Sequence, residues 1–369
     1  MPTSGTDEAN IPAPFNPHDY LSSDEIWWQD HQEWLEQCGY MLRPRYRPGW
    51  VPSWRGTSRT QYMCEDGQDT NRSHVLDATR IKDGAIVVLK KIMVSRHPYE
   101  VEISQFLSTD PLSEDPKNHC VPIYEVLAVP DNDNLKLIVM PLLHAFYTPR
   151  FLSVGEAVEC CRQIIEGLQF MHAHHVAHRD CGQLNIMIDP TRLFPNLFHF
   201  ASPWLSRDIS GRAKHYTRTA YPTKYYYIDF GLSRKFDPAK GPPRAWPIRG
   251  ADKTVPEFEK SADPCDPFPT DIYYLGNTLR TVFLQKYQGL EFMKALVDDM
   301  VQDEPSERPT IDDVAVRFDI ILGSLSSWRL RSRLRPRDEH WILRPFRVSA
   351  HIFRTIYYIL TFRPALPRP

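Results

Sequence analysis

The chain has 369 residues, 42% of them apolar, and a formal charge of −2. That suffices for one two-lobed enzyme with extensions or for two ordinary domains, and the near-neutral balance gives no general pull toward nucleic acid or membrane. No run approaches the roughly 18 apolar residues that a membrane span needs, and the N-terminus lacks the apolar stretch of a signal peptide. The seven cysteines include no CxxC pair, so free thiols in a reducing, cytoplasmic setting are expected.

Residues 1–21, acidic and proline-rich in "MPTSGTDEANIPAPFNP", read as a disordered N-terminus. Residues 22–59 read as an extension opened by an amphipathic helix. Ser22 and Glu25 form a capping box, Trp27, His31, Trp34, Leu35 and Cys38 recur at helical spacing, and Gly39 is the stop signal. The segment packs on the body of the protein or docks a partner.

Residues 60–142 read as a small, mostly β lobe. The β-branched "AIVVLKKI" (85–92) suits a buried strand, a short helix covers 100–107, and further strands cover 121–129 and 135–142 around the turn "PDNDN". Residues 143–324 turn helical. Ser153 with Glu156 opens a core-facing helix, and the 290–300 and 311–321 stretches repeat its spacing, the last opened by Thr310 with Asp313. A β-rich small lobe followed by a helical large lobe is an α+β, two-lobed organisation with a cleft between.

The chemistry gathers in a few places. "HRDCGQLN" (178–185) follows the long helix and has the H-R-D-x4-N spacing of the protein-kinase catalytic loop. Asp180 supplies a carboxylate able to accept a hydroxyl proton, and Asn185 an oxygen donor for magnesium. "YYYIDFGLS" (225–233) is a strand that delivers Asp229, a second magnesium ligand, with Phe230 packing inward and Gly231 permitting the turn. "VVLK" resembles kinase strand three and makes Lys90 the phosphate-binding lysine. Lys91 points to the opposite face of the strand. Lys90 needs a carboxylate partner on the short helix, and Glu102 is taken for it, with Phe106 one turn on and Glu100 as the alternative.

"TVPE" (254–257), "DIYYLG" (271–276) and "ERPT" (307–310) complete the series in order. Over about residues 68–322 the chain resembles a eukaryotic-type protein kinase. "HRDCGQLNIMID", "YYYIDFG" and "DPFPTDIYYLG" resemble in particular the lineage-expanded kinase-like proteins of mushroom-forming fungi. The resemblance implies ATP and Mg2+ as cofactors and a protein substrate, serine or threonine being the acceptor. It places Val75, Val88, Met140, Lys90, Asn185 and Asp229 around the nucleotide, and Asp180, Lys90, Glu102 and Arg179 in catalysis. It also implies a buried Glu257–Arg308 pair and an internal spine of Phe106, Ile123, His178 and Phe230. A pseudokinase scaffold and an atypical small-molecule kinase are the rivals. No nucleic-acid partner is expected.

Several features depart from that pattern. Gln68, Thr70 and Ser73 stand at the three positions of the glycine-rich loop, with only Gly67 nearby. One or two neutral hydrogen bonds lost there cost about 0.5–1.5 kcal/mol each, on the order of tenfold in affinity. Gly182 replaces the usual lysine after Asp180. An aromatic, basic insert at about 191–223 separates Asn185 from Asp229, expected to pack over the back of the large lobe or to dock a partner. Between Asp229 and Glu257 the hydroxyl residues are Ser233 and Thr254, neither mid-loop, so Arg179 has no phosphorylated loop residue to receive and mid-loop phosphorylation is not expected to act as a switch. His172, His174, His175 and His178 have spacing that permits a metal, but His178 belongs to the catalytic loop. The tail 325–369 carries ten arginines, no lysine and two acids. It packs on the large lobe, stays solvated, or makes peripheral contact with an anionic membrane.

Overall fold

The computed structural model describes residues 17–70 and 72–369. Of the segment read as disordered, residues 1–16 lie outside the described residues, and Pro17–Asp19 form a 3-10 turn.

The expected N-terminal helix is two, α1 (Ser23–Asp30) and α2 (Gln32–Gln37), interrupted at His31. Both arms of the Ser22–Glu25 capping box form, at 3.3 and 2.9 Å, and Gly39 ends the segment at φ +91°. The chain then enters β1 (Tyr40–Leu42) and, after residues 43–74, β2 (Val75–Arg80). β3 (Ile86–Met93), α3 (Glu100–Leu107), β4 (Glu125–Ala128) and β5 (Leu135–Pro141) follow. The antiparallel sheet has the order β1-β2-β3-β5-β4.

The period of two along β3 sorts its side chains. Val87 and Leu89 join Leu76, Leu137 and Val139 in a core closed by Trp28 and Leu35 of α1 and α2. Val88 faces the other way, into the main core with Ile103 and Leu107 of α3. The small lobe therefore begins near residue 23 rather than 60. β1 comes from the stretch assigned to an extension, because Tyr40–Leu42 pair with Arg80–Ala78 on the sheet edge.

The hinge strand β6 (His144–Ala145) leads to α4 (Val154–Ala173), the axis of the large lobe. Ser153 caps α4, but the Glu156 carboxylate turns to Leu152 N and to Thr219, so half of the expected box forms. β7 (Val176–Ala177), β8 (Ile186–Ile188), β9 (Tyr225–Tyr227) and β10 (Arg234–Lys235) frame the loops of interest, with β8 between β6 and β9 and β7 paired to β10. Then come α5 (Glu257–Lys260), α6 (Pro267–Thr278), β11 (Tyr287–Gln288), α7 (Lys294–Met300) and α8 (Ile311–Ser324). α8 opens with the complete Thr310–Asp313 box. The tail packs on this lobe through α9 (Ser327–Arg331), β12 (Arg335–Pro336) and α10 (Arg344–Leu360). Among the described residues no helix is long and apolar enough to cross a membrane.

Arg308 ties α5 to the start of α8. Its guanidinium, fully buried, makes two bonds to Glu257, at 2.7 and 2.9 Å, and lies 5.0 Å over the Tyr273 ring. Removing the cation leaves a carboxylate that is only 11% exposed without its partner. Arg308→Met is therefore expected to destabilise the protein by about 3–5 kcal/mol in denaturant unfolding. A loss below about 1 kcal/mol would show that water reaches the pair.

Candidate functional site

Lys90 and Lys91 divide as the strand period requires. Lys91 Nζ lies 4.4 and 4.9 Å over the rings of Trp27 and Trp28. Lys90 Nζ, nearly buried, donates to Glu100 Oε1 at 2.5 Å and to Asp229 Oδ1 at 2.9 Å. Burial alone pulls its pKa down. The two carboxylates outweigh that and hold it above the ordinary lysine value.

The partner is thus Glu100, not Glu102. Residues two apart on a helix diverge by roughly 200°. Glu100 shares its face with Ile103, Ser104 and Leu107, all buried, whereas Glu102 is exposed. The same rotation removes Phe106 from the expected spine. Its ring meets Lys235 Nζ at 3.3 Å and His174 at 6.5 Å. Ser104 and Val121 line the cleft beside Phe230, and Ile123 is only half-buried. His178 and Phe230 do pack together, at 5.3 Å.

Asp271 of α6 holds the backbone of the 178–185 loop. Its carboxylate, buried completely, accepts the amides of His178 at 2.7 Å and Arg179 at 2.6 Å, and its carbonyl accepts from Cys181 Sγ. Those bonds hold Arg179 at φ +67°, in a region side chains other than glycine rarely adopt. The loop then presents Asp180. Asn185 Nδ2 donates to Asp180 Oδ2 and to its carbonyl, both at 2.8 Å, and Ala251 N donates to Oδ1 at 2.9 Å. A Cβ on Gly250 would collide with this carboxylate, so the backbone passes close over it. Burial pushes the Asp180 carboxyl up despite those bonds. Asp229 sits at φ +66° with half of its side chain open to the cleft. Burial raises its pKa, but the charge of Lys90 prevails and holds it below the ordinary value.

The cleft has a volume of about 220 Å³. Val75, Val88 and Met140 line it with Lys90, Asn185 and Asp229. Asn185 and Asp229 offer oxygens suited to magnesium, which takes few protein ligands and completes its shell with phosphate and water. Among the described residues no group of three or more His, Cys, Asp or Glu is placed to hold a metal ion, so the four clustered histidines make no such site.

The β1–β2 connection reaches the cleft at its end, through Arg72 and His74. It is pinned by buried polar bonds rather than built from glycines. Gln68 Nε2 donates to the carbonyls of Tyr62 and Cys64, and its Oε1 accepts from Ser202 Oγ at 2.7 Å. Arg43 donates to Gln68 O and Asp77, and Trp28 Nε1 to Ser73 O at 3.2 Å. Gly67 serves packing, since a Cβ there would collide with the Gln61 carbonyl. At the rim the loop shows Arg72 and His74.

The first half of the insert holds this loop from outside, while its second half packs on the large lobe, Thr217 on Tyr358, Arg218 on the carbonyls of Phe146 and Pro149, and Thr219 on Glu156 of α4. Phe194 and Phe198 pack on His144 of the hinge, at 4.8 and 4.5 Å. His199 meets Glu65 and Arg43, and Phe200 enters the cleft wall. Phe200, Ser202 and Arg72 were not foreseen. The aromatic run "LFPNLFHF" signals a buried surface but not which surface it covers.

Arg179 reaches the segment after Asp229 without any phosphate. It donates to Leu232 O at 3.1 Å and Trp246 O at 2.5 Å. Ser233 is buried against His178 O, and Thr254 is engaged by Asp252 and Tyr273.

The two lobes, the hinge and the cleft make this the two-lobed protein-kinase fold. Residues 70–244 match the family model of the protein kinase domain. A 121-residue stretch is 28% identical to cyclin-dependent kinase D-1 of Arabidopsis thaliana, covering 31% of this chain and 30% of that protein. The chain thus spans less than a third of that relative's length. Over residues 70–244 the chain is thus similar to the protein kinase domain.

For a nucleotide in this cleft, the reading proposed below, Glu100→Gln is expected to lower affinity about tenfold, because Lys90 loses a buried counter-charge. Glu102→Gln should leave it unchanged, and equal effects in calorimetric titration would contradict the α3 rotation. Phe200→Ala is expected to weaken the same binding roughly fivefold by opening the apolar wall. An unchanged affinity would place the insert outside the nucleotide's reach.

Proposed function

We propose that the protein transfers the γ-phosphoryl group of ATP to a hydroxyl of a protein substrate, serine or threonine being the acceptor. The observation that carries this is the bond chain Glu100–Lys90–Asp229, closed across the cleft that Asn185 also lines, with Asp180 bonded to Asn185 beside it. Val75, Val88, Met140 and Phe200 would enclose the base. Lys90, held by Glu100, would orient the phosphates, and Arg72 would add a cation where glycine amides are missing. Asn185 and Asp229 would hold magnesium, which neutralises charge on the phosphoryl group as it moves.

Asp180 would take the proton of the acceptor hydroxyl. Asn185 and the Ala251 amide orient its carboxylate, and Arg179 fixes the neighbouring segment by carbonyl bonds that need no phosphorylation. The narrower likeness to kinase-like proteins of mushroom-forming fungi rests on the sequence motifs. A second reading, a nucleotide-binding pseudokinase, is favoured by one observation. Both Asp180 oxygens already accept bonds, and Gly182 offers no cation beside them.

Asp180→Asn decides between the two readings. On a peptide library with magnesium and ATP, turnover is expected to fall by about a thousandfold while nucleotide binding persists. Equal turnover in wild type and variant would refute the assignment. The sign of the pH dependence also follows. The base must be ionised, and burial raises its pKa, so kcat/KM should rise with pH through a limb lying above the ordinary aspartate range. A limb at or below that range would exclude Asp180 as the titrating base.

A further inference from the structure

α10 is fixed to the large lobe by its polar side. Arg347, His351, Arg354, Thr355 and Tyr358 recur at helical spacing and are the less exposed residues of the helix. Tyr358 Oη bonds the Thr217 hydroxyl, Arg347 and Arg333 both hold Glu339, and Arg331 donates to Arg363 O at 2.6 Å. The chain beyond the helix is seated so closely that a Cβ on Gly155 would collide with the Ala365 carbonyl.

The outward face is apolar. Phe346, Ile352, Phe353, Ile356, Tyr357 and Leu360 are all exposed, the two phenylalanines at 73%. This inverts the arrangement of a helix on a soluble body, whose apolar stripe faces the core. Exposed patches of this kind mark interaction surfaces. The charge around it has one sign. Residues 340–369 contain five arginines and no acid. Arg344, Arg363 and Arg368 are exposed, and none is ion-paired to an acidic side chain among the described residues. Arg344 stands in the first turn of α10, where a cation opposes the helix dipole, so its position does not serve the helix itself. Trp341, just before the helix, is 76% exposed and has the amphipathic ring favoured at a lipid–water boundary.

We propose that α10 and its flanking arginines bind an anionic membrane surface, with the apolar face sunk to the headgroup boundary. The helix, about 25 Å long, lies along the surface and does not cross it. Arginine pairs with lipid phosphates through charge-assisted bonds. A second copy on this face would set arginine against arginine, whereas an anionic surface complements them. The proposal is independent of the kinase reading.

The test is flotation of the full chain with vesicles of phosphatidylcholine, with and without phosphatidylserine. Binding is expected to need phosphatidylserine and to weaken as salt rises. F353D/I356D, both at exposed positions, should bind at least tenfold more weakly with unchanged thermal unfolding. R344Q/R363Q/R368Q should lose on the order of a hundredfold, about fivefold per arginine. Three results would overturn the proposal. They are no binding to either vesicle, equal binding by wild type and F353D/I356D, or a lipid-free dimer in light scattering that F353D/I356D abolishes, which would assign the face to a second copy.

Discussion

A buried ammonium group cannot stay charged without counter-charges, and Lys90 finds them on two different parts of the molecule. One is Glu100 on α3 and the other is Asp229, carried by the large lobe. The bond to Glu100 sets the rotation of α3 against the sheet. That rotation buries Ser104 and Leu107, exposes Glu102 and sends Phe106 sideways to Lys235. The bond to Asp229 fixes how the lobes face each other. The spacing of Lys90, Asn185 and Asp229 around the cleft follows from the same charge.

A second constraint acts on the loop that reaches the cleft. Glycine-rich loops approach phosphate with bare backbone, at the cost of conformational freedom. Here the long β1–β2 connection is held by Arg43, Trp28, Gln68 and Ser202. The insert, the N-terminal helices and the unusual loop form one assembly. α1 and α2 cover the sheet, Trp28 reaches the loop, and the insert closes it from the hinge side.

Motifs with local causes could be read directly. The H-R-D-x4-N spacing, the strand that delivers Asp229 and the period of two that separates Lys90 from Lys91 need no tertiary information. The capping boxes at Ser22 and Thr310 are of the same kind, each being closed within four residues. Choices between near neighbours could not be read. Glu100 and Glu102 have equal chemistry, and only the packing of α3 selects one. β1 has three residues, too few for a pattern, and exists because the edge of β2 binds them. The Ser153–Glu156 box closes by half because Thr219, distant in sequence, competes for the same carboxylate.

The amino-acid sequence by itself determined that a β-rich part precedes a helical part and the order of the motifs along the chain, because those depend on periodicity and on short spacings along the chain. Tertiary structure alone decided which carboxylate answers Lys90, where the aromatic insert goes and which face of α10 meets solvent. An amphipathic pattern shows that a helix has two faces. Which of them turns inward depends on the partners offered, and for α10 those are Glu339, Thr217 and the backbone beside Gly155.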